Sequence, residues 1–249
     1  MRRFRTDEQC HLSPQRGGAH VPDRRFFIFS LAFPLIIYFA VAGANRHSKV
    51  EAVALPLYFM TGMVAFGTMI AVISSGARIA TERQLGWTRQ LRITPLRTRT
   101  YFEAKVLSGY LMALATIVLM YMAGSALGVR LDARQWTIMT LLLLVGLVPF
   151  TLLGILAGHL LKPDSLGPAV GGVTTLFALV SGAWGPLSEG RYFVDVVKCI
   201  PSYWLVQSGR VVAFGGGWPP AQAWIVIAVW AAALARLAVV AYRRDTARV

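Results

Sequence analysis

The stretch that decides the fold is QWTIMTLLLLVGLVPFTLLGILAGHLL, residues 135–161, which contains no Asp, Glu, Lys or Arg. Roughly 20 consecutive apolar residues are enough to cross the hydrocarbon core of a bilayer as a helix. Only helices and closed barrels satisfy the backbone in lipid, and this run lacks the alternation of a barrel strand. It therefore predicts a transmembrane helix.

Five further segments of the chain have the same character, although the last one contains Arg236 near its end. Only 14% of the 249 residues are charged, whereas a soluble domain carries about 25%. We therefore predict an all-α, polytopic membrane protein with six transmembrane helices. Besides Gln135–Leu161, the predicted spans are Phe26–Ala44, Ala52–Ala77, Val106–Val129, Ser165–Leu187 and Pro219–Tyr242.

The basic residues are distributed unevenly along the chain, which has a net charge of +14. Eighteen of the 25 lie where six spans place one side of the membrane: six before the first span, seven between Arg78 and Lys105, Lys162, and four from Arg236 onward. An excess of Lys and Arg marks cytoplasmic loops. Both termini are therefore predicted to be cytoplasmic, and the basic surplus indicates topology and anionic lipid rather than nucleic acid.

The first 23 residues differ from the remainder of the chain. They contain Pro14, Gly17, Gly18 and Pro22 and no long apolar run. We predict a flexible cytoplasmic tail over 1–23 and a six-helix transmembrane domain over 24–249. The paired arginines at 24–25, followed by an apolar run, also resemble an export signal, but five further spans follow it.

The connection between the second and third spans has helical periodicity. Ala80, Gln84, Trp87 and Leu91 recur on one face, and the pattern ends at Thr94-Pro95 because the residue before proline disfavours helix. This indicates an amphipathic cytoplasmic helix. Periodicity alone leaves two uses open: an element lying on lipid headgroups, or a docking surface for a cytoplasmic partner.

The predicted spans contain no Asp or Glu, and their ionisable residues, His159 and Arg236, lie near span ends. Ion-coupled carriers normally hold intramembrane acids, so this pattern argues against that class. The histidines are scattered, and no lysine follows a phosphate-binding glycine pattern. We therefore predict no catalytic, cofactor or metal residues, and any energy for uphill transport must come from another polypeptide.

Small residues are concentrated in the fifth predicted span. Gly167 and Gly171 form a small-xxx-small pair, which permits close approach of helices in lipid. The pattern favours packing within the bundle, and a subunit interface is the alternative.

Three motifs in order carry a resemblance to a known family. The first is Glu82-Arg83-Gln84-Leu85-Gly86-Trp87-Thr88-Arg89-Gln90-Leu91-Arg92-Ile93-Thr94-Pro95-Leu96, followed by Lys105-Val106-Leu107 with a lysine at the opening of the third span. The other two are Ser181-Gly182-Ala183-Trp184-Gly185-Pro186 and Pro201-Ser202-Tyr203-Trp204. With six spans around them, they resemble the membrane (permease) subunit of type-2 ATP-binding-cassette exporters, a group that includes drug and antibiotic efflux pumps.

The resemblance implies a role for the connection between the second and third spans. A separate ATP-binding-cassette ATPase would contact the coupling residues Glu82, Arg83, Gly86, Trp87, Arg89, Leu91 and Pro95. Two permease copies, identical or different, would line a path for a lipophilic or amphipathic substrate such as a drug, an antibiotic or a lipid. The protein would be a multi-pass component of the bacterial inner (plasma) membrane, with no ATPase site or cofactor of its own.

Two alternatives remain at this stage. The chain could be a membrane anchor or assembly protein that docks a cytoplasmic partner without transport. It could also be a carrier or membrane enzyme with a polar site built from hydroxyls such as Thr174, Thr175 and Ser181.

Overall fold

The computed structural model describes residues 24–50, 52–85, 98–187, 191–215 and 217–246. Two short strands, β1 (Lys49–Val50) and β2 (Val53–Ala54), form an antiparallel hairpin between the first two helices, with Val50 opposite Val53. The elements, in chain order, are α1 (Arg24–Ala44), β1 (Lys49–Val50), β2 (Val53–Ala54), α2 (Leu55–Ala77), α3 (Ile79–Gln84), α4 (Thr98–Ala126), α5 (Ala133–Gly146), α6 (Val148–Leu160), α7 (Pro163–Val180), α8 (Arg191–Val197), α9 (Pro201–Ala213) and α10 (Ala221–Thr246).

Each of the six predicted spans contains helical residues in the structure. Within the described ranges, four helical stretches are long and apolar enough to cross a membrane: Leu55–Gln84, Thr100–Ala126, Ala133–Leu160 and Ala221–Arg244. The apolar helix Leu31–Ala44 is shorter. The helical, polytopic class is thereby confirmed, while the number six and the orientation of the termini stay predictions.

The fourth predicted span is interrupted in the middle. Leu147 separates α5 from α6, and Pro149 occupies the first turn of α6. Proline lacks the backbone N–H that would continue the helical ladder, and the interruption falls two residues before it. The two helices still form one apolar stretch, Ala133–Leu160.

Helix α2 lies at the centre of the bundle. It packs against α1, α4, α6, α7 and α9. In the most apolar 18-residue window of the span Leu55–Gln84, 78% of the residues are buried. In the corresponding window of the span Ala221–Arg244, 22% are buried. A helix that is apolar on all sides is a core helix, whereas α10 keeps most of its apolar surface for lipid.

Glycines bring α2 and α6 into backbone contact. A Cβ atom on Gly76 would lie 2.5 Å from the carbonyl carbon of Gly154, and one on Gly154 would lie 2.5 Å from the Ile73 oxygen. One on Gly158 would lie 2.7 Å from the Gly76 oxygen. Gly154 and Gly158 thus form the small-xxx-small pair that packs the bundle.

The pair predicted to pack the bundle, Gly167 and Gly171, does not do so. Both residues are exposed on α7, and a Cβ atom on either would meet nothing within 4 Å in the described part of the chain. The prediction of packing within one bundle is therefore wrong for this pair.

The connection between α7 and α10 is partly helical. It contains α8 and α9, and α9 is largely buried. The indole of Trp204 donates to the Lys198 oxygen at 2.7 Å, and that of Trp230 on α10 donates to the Cys199 oxygen at 2.9 Å. The first bond holds the turn between α8 and α9 to α9, and the second holds it to the first half of α10.

Candidate functional site

The candidate site is built on α3, the single-turn continuation of α2. Arg78 is the only residue between the two helices, and it keeps a right-handed helical conformation. The start of α3 is buried, with Ile79 1% and Ala80 3% exposed. Because α2 is held in the core, this short helix is fixed at one end of the bundle, called here the α3 end.

Glu82 connects α3 to α4. Its carboxylate accepts a hydrogen bond from the Tyr101 hydroxyl at 2.5 Å and pairs with the ammonium group of Lys105. The side chains of Lys105 and Glu82 are 18% and 27% exposed. A charge pair that is mostly removed from water is screened less than a surface pair, so it resists separation of the two helices.

Arg83 connects the same short helix to α6. Its guanidinium donates to the backbone oxygens of Gly158 at 3.2 Å and His159 at 2.7 Å. The last carbonyls of a helix have no intrahelical partner and carry partial negative charge. Arg83 therefore acts as a cationic cap on the end of α6, directly beside the glycine crossing with α2.

An aromatic cluster lies beside these contacts and joins three helices. The ring of His159 on α6 lies 5.9 Å from that of Phe102 on α4 and 5.8 Å from that of Tyr242 on α10. Phe102 and Tyr242 also meet edge to face at 5.4 Å. The sequence placed His159 near the end of a span; in the structure it lies in a buried contact of α4, α6 and α10.

The remaining predicted coupling residues follow α3 in the chain. Gly86, Trp87, Arg89, Leu91 and Pro95 lie outside the described residues. Gln84 and Leu85 are the last described residues before this segment, and the side chain of Leu85 is 59% exposed. An exposed leucine next to a charged helix offers an apolar contact for a partner.

Sequence reasoning named Glu82, Arg83 and Lys105 but not all of their partners. Tyr101 and the carbonyls of Gly158 and His159 gave no signal, because a tyrosine at a span start and a backbone oxygen look alike in any sequence. The contacts made by these residues join α3 to α4 and α6. Within the described ranges, no three His, Cys, Asp or Glu residues lie close enough to hold a metal ion.

These features define a polytopic helical membrane protein whose described polar contacts at the α3 end join helices to one another. Residues 45–240 match the model of the "ABC-2 family transporter protein" family. The chain therefore belongs to the ABC-2 transporter family, and it is a permease subunit of that type.

The chain is also similar to a protein of Bacillus subtilis (strain 168) that bears the name of a transport permease, YvfS. The two are 23% identical over 197 residues, which cover 78% of this chain and 80% of the relative. The similarity thus extends over most of both proteins rather than a single motif.

Proposed function

We propose that the chain forms the translocation path of an ATP-driven exporter and that a separate subunit hydrolyses the ATP. The observation that carries the proposal is the double connection of α3. Adjacent residues of this helix bind two different spans. Glu82 binds the start of α4, and Arg83 binds the end of α6. A partner that moves α3 therefore moves both spans together.

The connection is stiff enough to transmit such a movement. Helix α3 continues α2 with one intervening residue, and α2 meets α6 backbone to backbone at Gly76 and Gly154. Close-packed interiors transmit displacement rather than absorb it. Movement of α3 is then delivered to α2, α4 and α6 instead of being dissipated in side-chain rearrangement.

The orientation follows from the charges at the α3 end. Arg78, Arg83, Arg243 and Arg244 are gathered on this side, since Tyr242 at the end of α10 meets His159 there. The excess of basic residues supports a cytoplasmic α3 end and cytoplasmic termini in the bacterial inner membrane. The opposite end of the bundle would then face outward.

A lipophilic or amphipathic substrate suits the apolar interior of this bundle. The buried surface of α2 contains methionine, phenylalanine and small residues, with Thr61, Thr68 and Ser75 as its buried polar side chains. A path with few fixed charges favours cargo that needs few hydrogen bonds, such as a drug, an antibiotic or a lipid. Two permease copies with two ATPases would complete the transporter.

Copurification tests the proposal. The tagged chain, expressed with the genes beside its own and extracted in mild detergent, is expected to retain an ATP-binding subunit in a stable complex. Transport by reconstituted vesicles should then require ATP and both subunits. Export that continues after the ATP-binding subunit has been removed would contradict the proposal, and retention of a different cytoplasmic protein would favour an anchor.

A further inference from the structure

Arg210 is a buried charged residue at the end of the bundle opposite α3. It lies on α9 and is 5% exposed. Its guanidinium donates to the Gly182 oxygen at 2.6 Å, and its carbon Cζ lies 3.9 Å from the ring centroid of Tyr58 on α2. One side chain thus joins α9, the turn after α7 and the start of α2.

The turn that Arg210 holds fits closely against α2. Gly182 has φ +73°, a conformation that favours glycine, and the next residue, Ala183, is fully buried. A Cβ atom on Gly62 of α2 would collide with the backbone oxygen of Ala183. The seam between α2 and this turn therefore leaves no room even for a methyl group.

Arg210 interacts with two elements other than its own helix. Removing a guanidinium from water is costly, and the cost is offset here by a charge-assisted bond to a carbonyl and by the face of an aromatic ring. Both interactions break together if α9 moves away from α2 and α7. The closed arrangement is consequently a discrete state rather than one of many similar positions.

Arg210 also lies where two of the sequence motifs meet in space. Gly182 belongs to the segment 181–186, and α9 begins with the segment 201–204. The stack of Phe214 on Tyr58, with ring centroids 6.2 Å apart, extends the same joint to the end of α9.

We propose that Arg210 is a latch: it holds α9 against the turn after α7 and the start of α2, and so closes the end of the path opposite the ATPase. The latch is broken when movement delivered from α3 separates α2 from that turn. This inference rests on the proposed function in two respects: the substrate that passes through the opening, and the side of the membrane on which the path opens.

A buried cysteine placed under α9 tests the latch. Thr61 is 2% exposed, and its Cβ lies 3.9 Å from the position of a Cβ atom on Gly209, next to Arg210. Thr61→Cys, made in a Cys10→Ser/Cys199→Ser background, is treated with a membrane-impermeant maleimide from the outer side of intact cells. The same treatment of inside-out vesicles reports access from the other side.

Arg210→Met is expected to raise the rate of labelling from outside by about ten- to a hundredfold, since bonds to charged groups contribute that much to a closed state. Arg210→Lys, which keeps the charge, should give a smaller rise and serves if the Met variant does not fold. Gln135→Met is the control: it removes the 3.2 Å bond from Gln135 to the Val212 oxygen of α9, together with the bond that Gln135 accepts from the Asp132 N–H, but leaves the latch intact.

The outcomes separate the latch from the proposed function. If Thr61→Cys is labelled from outside as slowly in the Arg210→Met and Arg210→Lys variants as in the parent, the latch is overturned. An equal rise in the Gln135→Met control also overturns it, because the cause would then be general loosening. A rise confined to inside-out vesicles supports the latch but overturns the orientation assigned by the proposed function.

Discussion

Replacing Glu82 with alanine is expected to abolish ATP-driven transport while the chain still inserts into the membrane. The carboxylate holds α3 to α4 through Tyr101 and Lys105. Without it, the ammonium group of Lys105 is left mostly buried beside a tyrosine hydroxyl. Movement of α3 would then reach α2 and α6 but no longer draw α4 with it.

The size of the effect follows from the two bonds that the Glu82 carboxylate makes. Hydrogen bonds to charged groups contribute about 1.5–3 kcal/mol each, so stimulation of ATP hydrolysis by substrate should fall by roughly tenfold or more. The measurement is ATPase activity of the purified complex in vesicles. A Lys105→Met variant and the double variant complete a cycle that isolates the Glu82–Lys105 interaction.

The chain offers a matched control for this experiment. Asp195 and Lys198 form a carboxylate–lysine pair at 3.1 Å on the other side of the bundle, with side chains 60% and 34% exposed. Exposed pairs contribute little, so Asp195→Asn should leave coupling unchanged. Normal substrate-stimulated ATP hydrolysis in the Glu82→Ala variant would remove this residue from the coupling mechanism.

The second large effect is expected at the crossing of α2 and α6. Gly76→Ala and Gly154→Ala should each destabilise the chain by about 1–3 kcal/mol, because the added Cβ meets backbone atoms that cannot move aside. In a domain of this size that corresponds to a fall in the melting temperature of about 2–12 °C. Thermal unfolding of the chain in detergent, followed by circular dichroism, measures it.

Gly43→Ala provides the control with the opposite expected sign. A Cβ atom on Gly43 of α1 would meet nothing within 4 Å in the described chain. Alanine is favoured over glycine in a helix by roughly 1 kcal/mol, so this variant should be as stable as the parent or slightly more so. Equal stability of the Gly43, Gly76 and Gly154 variants would show that α2 and α6 are not in backbone contact.

The positions of the main helices could be predicted from sequence because a bilayer imposes one simple requirement. A segment without Asp, Glu, Lys or Arg over about 20 residues can satisfy its backbone in lipid only by forming internal hydrogen bonds. That requirement located α2, the joined α5–α6 stretch and α10 to within four residues of their ends, whereas α4 begins at Thr98, eight residues before the predicted start of its span at Val106. It holds for each segment separately and needs no knowledge of its neighbours.

Contacts between helices could not be predicted in the same way. Gly154 and Gly158 have the same spacing as Gly167 and Gly171, but among the described residues only the first pair faces another helix. Spacing defines a face of a helix and does not say what covers it. Helix α9 lies in none of the predicted spans for a related reason, since its burial depends on contacts of Arg210 with Gly182 and Tyr58 that spacing along the sequence does not reveal.

We propose that α3 is the contact for an ATP-binding subunit. A photo-crosslinking amino acid in place of Gln84, the exposed last residue of α3, tests this directly. The same substitution at His47, exposed in the turn after α1, probes the opposite end of the bundle. A crosslink to the ATP-binding subunit from position 84 and none from position 47 is the predicted result; a crosslink from position 47 alone would contradict the claim.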